Sequence, residues 1–78
     1  MYPLYRKYPN NKNYFKVISS DEFEEIQVMG NTYTLHTFKA KILPDRNFIS
    51  DMTNSYEPYW VAISKNEYVS IKENVKHK

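Results

Sequence analysis

The stretch Glu25-Ile26-Gln27-Val28-Met29-Gly30-Asn31-Thr32-Tyr33-Thr34-Leu35-His36 decides the fold. With Gly30-Asn31 as a two-residue loop, favoured because glycine takes positive φ at no steric cost, the chain doubles back in a single register. Val28 then faces Tyr33 and Ile26 faces Leu35 on one side, while Gln27 meets Thr34 and Glu25 meets His36 on the other. That register sorts apolar from polar residues on both strands at once, and a slip of one residue would undo it. Beyond Leu35 the apolar parity changes, since Phe38, Ala40 and Ile42 are even-numbered where Tyr33 and Leu35 are odd. A bulge or bend near His36-Thr37 is the expected cause.

Upstream, Leu4-Tyr5-Arg6-Lys7-Tyr8 and Tyr14-Phe15-Lys16-Val17-Ile18 are rich in strand formers and flank the turn-forming Pro9-Asn10-Asn11-Lys12, which predicts a first hairpin. Downstream, Pro44 is read as the end of a strand, and Asp45 as the N-cap of a short helix carrying Phe48, Ile49 and Met52 on one side. After the polar loop Thr53–Pro58, Tyr59-Trp60-Val61-Ala62-Ile63 reads as a strand. Ser64-Lys65-Asn66-Glu67 has the spacing of a capping box, and Tyr68, Ile71 and Val75 recur at helical spacing, so a C-terminal helix is favoured over a hairpin turning at Lys65-Asn66. Residues 14–26 echo residues 59–71, Tyr14-Phe15-x-x-Ile18-Ser19 against Tyr59-Trp60-x-x-Ile63-Ser64. Were this a true repeat, residues 20–27 would be helical too; convergence on a strand followed by a Ser-led turn is the simpler account.

Charge lies in blocks. Arg6, Lys7, Lys12 and Lys16 precede any acid, and Asp21, Glu22, Glu24 and Glu25 then follow within five residues. A basic strand beside an acidic one is the expected arrangement, each opposed pair contributing ~0.2–1 kcal/mol.

The chain has 78 residues, 41% of them hydrophobic and 26% charged, which suits one small folded domain spanning 1–78 rather than a disordered tail. Trp60-Val61-Ala62-Ile63 is far shorter than the ~18 apolar residues a membrane helix needs. Zero cysteines exclude disulfides, thiolate metal sites and thiol nucleophiles. Without covalent staples a domain this small needs another source of stability, and eight tyrosines within a 17% aromatic content are the evident one. Met1-Tyr2-Pro3-Leu4 lacks a signal-peptide layout, so a cytoplasmic location is expected. Frequent Asn, Lys, Tyr and Ile is the usage of AT-rich coding DNA and points to a bacterial or phage source.

Catalysis finds little support. His36 and His77 are the only histidines, no serine stands in a nucleophile elbow, and one glycine cannot build a phosphate cradle. His36 opposite Glu25 has the makings of a base, though such pairs mostly hold strands together. No set of zinc ligands or calcium loop is present, so no metal and no cofactor are expected.

Binding is the better prospect. Tyr5, Arg6, Lys7, Tyr8, Lys12 and Lys16 interleave rings and cations on the first hairpin, the combination by which single-strand nucleic-acid binders stack bases and track phosphates. The adjoining acidic block and a net charge of +2 weigh against it. Tyr56 and Tyr59, with Trp60 and Tyr68, form a second candidate patch, although Trp60 also reads as a core anchor. A meander also exposes an edge strand, a natural docking site.

The expected architecture is α+β: an antiparallel meander of strands near 3–8, 13–19, 23–29 and 32–42, a short helix, a strand near 59–63 and a C-terminal helix. A small all-β barrel is the alternative. The expected function is a non-enzymatic accessory or protein-interaction module with an unidentified protein partner or itself as a homodimer; single-stranded nucleic-acid binding is the alternative, and no membrane partner is expected.

Overall fold

A computed structural model describes residues 2–41, 43–54 and 56–75, with residues 43–45 described by backbone alone. Strands β1 (Leu4–Lys7), β2 (Asn13–Ser19), β3 (Glu22–Met29) and β4 (Thr32–Lys39) form the meander. Helix α1 (Leu43–Asn54) leads to the two-residue strand β5 (Val61–Ala62), and helix α2 (Lys65–Lys72) follows. The sheet is open, in the order β4-β3-β2-β1-β5. The fold is therefore α+β with an open antiparallel sheet, and not the barrel.

Local chemistry sets the turns. Gly30 has φ +60 while Asn31 keeps a negative φ, the signature of a type II′ turn, in which the first central position belongs to glycine. The β3–β4 register follows the sequence expectation pair for pair: Val28 with Tyr33, Gln27 with Thr34, Ile26 with Leu35 and Glu25 with His36. In the first hairpin Asn11 supplies the left-handed residue at φ +61, and the Asn10 side chain accepts from the Lys12 amide at 2.9 Å. Ser64 caps α2, its hydroxyl accepting from the Glu67 amide at 3.1 Å. The other half of the capping box is replaced, because the Glu67 carboxylate accepts from Lys7 at 3.1 Å instead.

The two helices cover opposite faces of the sheet. Phe15, Val17, Phe23, Ala40 and Trp60 meet Ile49 and Met52 of α1, with Leu4, Tyr8, Phe48 and Tyr56 at the margins. Tyr14 and Ile26 point the other way, to Tyr68 and Val75 at α2, joined by Tyr5, Val28, Tyr33, Leu35, Ile63 and Ile71. Rings carry much of both cores: Tyr8 stacks on Trp60 at 6.1 Å, Phe48 meets Trp60 edge-on at 5.4 Å, and Tyr5 tilts against Tyr68 at 5.3 Å. Each such pair adds ~0.5–1.5 kcal/mol beyond the area it buries.

This arrangement corrects several expectations. No bulge interrupts β4, whose pairing with β3 runs unbroken from Glu22–Lys39 to Met29–Thr32; the register shift falls between Val17 and Ser19 in β2. The parity change along β4 has a different cause. Tyr33 and Leu35 pack towards α2, whereas Phe38 stacks on Phe23 at 4.8 Å on the α1 side. β4 ends at Lys39, and α1 already begins at Leu43, so Pro44 sits in the first helical turn, where its missing N–H costs nothing. Because α1 begins at Leu43, the backbone of Asp45 is already helical and the residue is not the N-cap expected for it; His77 lies outside the described residues. Residues 22–29 are strand, so the echo in residues 14–26 and 59–71 is convergence and not a helical repeat. The strand expected at 59–63 contracts to Val61–Ala62.

Candidate functional site

The charge blocks are spent between layers. Lys16 does lie opposite Glu24 in the β2–β3 register. The Glu24 carboxylate, only 7% exposed, nevertheless accepts from the Tyr68 hydroxyl and the Lys72 ammonium on α2, each at 3.0 Å. Lys7 likewise reaches Glu67 of α2. Burial first, then the neighbouring Glu24 charge and hydrogen bond, then Tyr5, push the Tyr68 phenol well above its ordinary range. These two ion pairs clip α2 to the sheet.

The residues singled out on the first hairpin are not brought together. Strand alternation sends Tyr5 and Lys7 to the α2 side and Arg6 to the α1 side, where all three are used internally. Arg6 is 8% exposed, donates through Nε to the Met52 carbonyl at 2.9 Å and through one terminal nitrogen to the Tyr5 carbonyl at 2.8 Å, and stands 4.2 Å from the centre of the Tyr56 ring. The guanidinium thus caps the electronegative C-terminal end of α1. Tyr8 packs between Phe15 and Trp60, and burial followed by the charge of Glu25 raises its phenol. Lys12 is exposed on the turn and Lys16 is half-buried. The second patch disperses in the same way: Trp60 and Tyr68 are buried against opposite faces, Tyr56 lies under Arg6, and Tyr59 alone stands out at 69% exposure.

His36 does lie opposite Glu25, but that carboxylate accepts from the Asn13 amide at 2.6 Å, and no described hydrogen bond joins it to the imidazole. The two hollows best formed on the surface hold about 80 Å³ each, one lined by Phe23, Phe38 and Phe48 and the other by Asn31, Tyr33 and Asn74. Small-molecule sites run to ~300 Å³ or more. Among the described residues no cluster of three metal-ligating side chains occurs, and no helix is long and apolar enough to cross a membrane.

The feature left uncommitted is the outer edge of β4. Eight residues long, it pairs only with β3 among the described residues. A two-residue loop makes Met29–Thr32 a hydrogen-bonded pair, after which bonded and non-bonded pairs alternate. The backbone groups of Thr34, His36 and Phe38 therefore turn inward to β3, consistent with the Ala40 amide donating to the Asp21 carbonyl at 2.6 Å. Those of Tyr33, Leu35, Thr37 and Lys39 turn outward. None of these four figured among the candidate binding residues read from the sequence, although the loop length and register that fix them were legible there. The edge also lacks the usual blocking devices: no proline, no bulge, and a lysine only at its last position. By contrast the edge at β5 is two residues long and follows Pro58 closely.

No protein-family model, no curated protein and no solved structure matches the chain.

Proposed function

We propose that this chain is a small non-enzymatic interaction module that engages a protein partner by accepting an extra strand along the outer edge of β4. The observation carrying the reading is that edge itself, eight residues of regular backbone with outward N–H and C=O groups at every second position and nothing among the described residues laid across it. Main-chain hydrogen bonds would supply affinity, and the alternating side chains beside them selectivity.

The test is a selection of random displayed peptides against the immobilised wild-type chain, with counter-screening against Thr37→Pro. That substitution removes one outward donor and sets a ring on the edge, where proline is tolerated on a free strand. Enriched peptides with alternating apolar residues that fail to bind Thr37→Pro are the expected result. An empty selection, or binders indifferent to the substitution, refutes the proposal.

Single-stranded nucleic-acid binding has weaker support, because Arg6 and Lys7 are engaged with α1 and α2 and only Lys12 and Lys16 of the hairpin cations remain. Titration of labelled oligonucleotides at low and high salt would revive it if salt-sensitive binding appeared.

A further inference from the structure

Strand addition along β4 leaves the occupant open, and the register of that strand selects one. Resting on the strand-addition reading, we propose that β4 pairs antiparallel with β4 of a second copy about a two-fold axis passing through His36, joining two five-stranded sheets into one. Hydrogen-bonded pairs across the new seam must match outward-facing residues with outward-facing residues, so the registers available to a symmetric pair differ by two residues. Centred on Leu35, the ladder matches Leu35 with itself and Tyr33 with Thr37, and Lys39 faces the turn. Centred on Thr37, Tyr33 is left beyond the end of the partner strand. Centred on His36, Leu35 meets Thr37 and Tyr33 meets Lys39, and every outward-facing residue of both copies finds an outward-facing partner. No other symmetric register satisfies all four.

Charge complementarity agrees. Lys39 is the only formally charged residue of β4, and in this register it faces Tyr33 of the second copy instead of another lysine. Since Lys39 already lies opposite Glu22 on β3, the ammonium would sit between a carboxylate on one side and a ring on the other. On the other face Phe38, 41% exposed, comes opposite Thr34 of the second copy, which covers its free side. One ladder of this length buries an area at the low end of protein interfaces, so the dimer is weak and concentration-dependent.

The chain has no cysteine, so each introduced thiol is unique. In the His36-centred register the two His36 Cα atoms form a non-hydrogen-bonded pair ~4.5 Å apart, inside the ~4.4–6.8 Å range of disulfides. Leu35 and Thr37 would each stand ~7–8 Å from their own counterparts, and Thr34 farther. The experiment oxidises His36→Cys, Leu35→Cys, Thr37→Cys and Thr34→Cys under mild conditions and compares disulfide-linked dimer, alongside sedimentation of the wild type, Thr37→Pro and Thr37→Lys over a range of concentrations. Rapid crosslinking of His36→Cys alone, with monomer–dimer behaviour of the wild type that both Thr37 variants weaken, is expected. Fastest crosslinking at Leu35→Cys or Thr37→Cys overturns the register. A dimer insensitive to both Thr37 variants overturns the use of the edge. A wild type that stays monomeric throughout overturns self-pairing, and the peptide selection then decides the strand-addition reading independently.

Discussion

Replacing Arg6 by methionine tests whether this cation belongs to the interior or to a binding surface. Methionine keeps an unbranched stem of similar reach and removes the guanidinium. Three interactions go with it: the Nε bond to the Met52 carbonyl at 2.9 Å, the bond to the Tyr5 carbonyl at 2.8 Å and the contact with the Tyr56 ring at 4.2 Å. The Tyr5 carbonyl keeps a donor, the Ile63 amide at 3.2 Å. Met52 lies in the last turn of α1, where carbonyls have no intrahelical partner, so its oxygen is orphaned. A hydrogen bond from a charged group contributes ~1.5–3 kcal/mol and the cation–π contact ~0.5–1 kcal/mol. Relief from burying a charge offsets part of this, because the partners are a carbonyl and a ring, not a carboxylate. A net loss of roughly 2 kcal/mol is the working figure. Against a stability of ~4–12 kcal/mol for a chain of this length, that loss is large; it should lower the melting temperature by roughly 8–16 °C. Urea denaturation followed by the fluorescence of Trp60, the single tryptophan and buried beside α1, is the assay. Arg6→Lys should fall between, retaining the charge without the fork. An Arg6→Met variant within about 0.5 kcal/mol of wild type, especially one that had lost oligonucleotide binding, would refute the interior role.

Two further outcomes follow from the second core and the second hairpin. Because the Tyr68 phenol is raised in the fold, its contribution is intact below the unfolded value near ~10 and declines as pH climbs from there towards the folded value, by up to ~1.4 kcal/mol per pH unit. Tyr68→Phe should flatten that alkaline limb in a pH series of urea titrations, and an unchanged limb would show that other groups cause it. Gly30→Ala should cost ~1–2 kcal/mol through left-handed strain alone, since a methyl there meets nothing within 4 Å; a thermal melt equal to wild type would contradict the II′ assignment.

Legibility in the sequence followed the number of layers a residue has to satisfy. The Glu25–His36 hairpin could be read because its turn chemistry and its alternation are both local, and every pair was recovered. The bulge expected at His36-Thr37 arose from assuming one buried face. With α1 on one side and α2 on the other, Leu35 packs towards α2 and Phe38 stacks on Phe23 on the α1 side, so both parities find apolar contact while the strand stays regular. The same physics undid the hairpin patch. Interleaved rings and cations resemble a binding strip when one face is wet, but here Tyr5 with Lys7 and Arg6 with Tyr8 each have a helix to meet. The helix Lys65–Lys72 was legible because Ser64 carries its signal within four residues. That β5 returns to β1, leaving β4 as the long edge, is a non-local outcome with no such signal.

That topology bears on why the free edge sits where it does. β4 runs antiparallel to β3 and β5 antiparallel to β1, so both edges of the sheet run the same way, and the segment containing α1 must span its width to join them. Crossing on the α1 face lets Phe48, Ile49 and Met52 cover Phe15, Val17 and Phe23. It also delivers the chain to the far edge, where β5 and then α2 are built on β1 and β2. The helices and β5 are thus committed to the faces and to the β1 side, and within the described residues nothing remains to lie along β4. A small sheet with both faces partly covered has few ways left to satisfy backbone groups internally, and a strand supplied from outside satisfies four residues at once. The geometry that packs both faces is therefore the geometry that leaves the long β4 edge unpaired among the described residues.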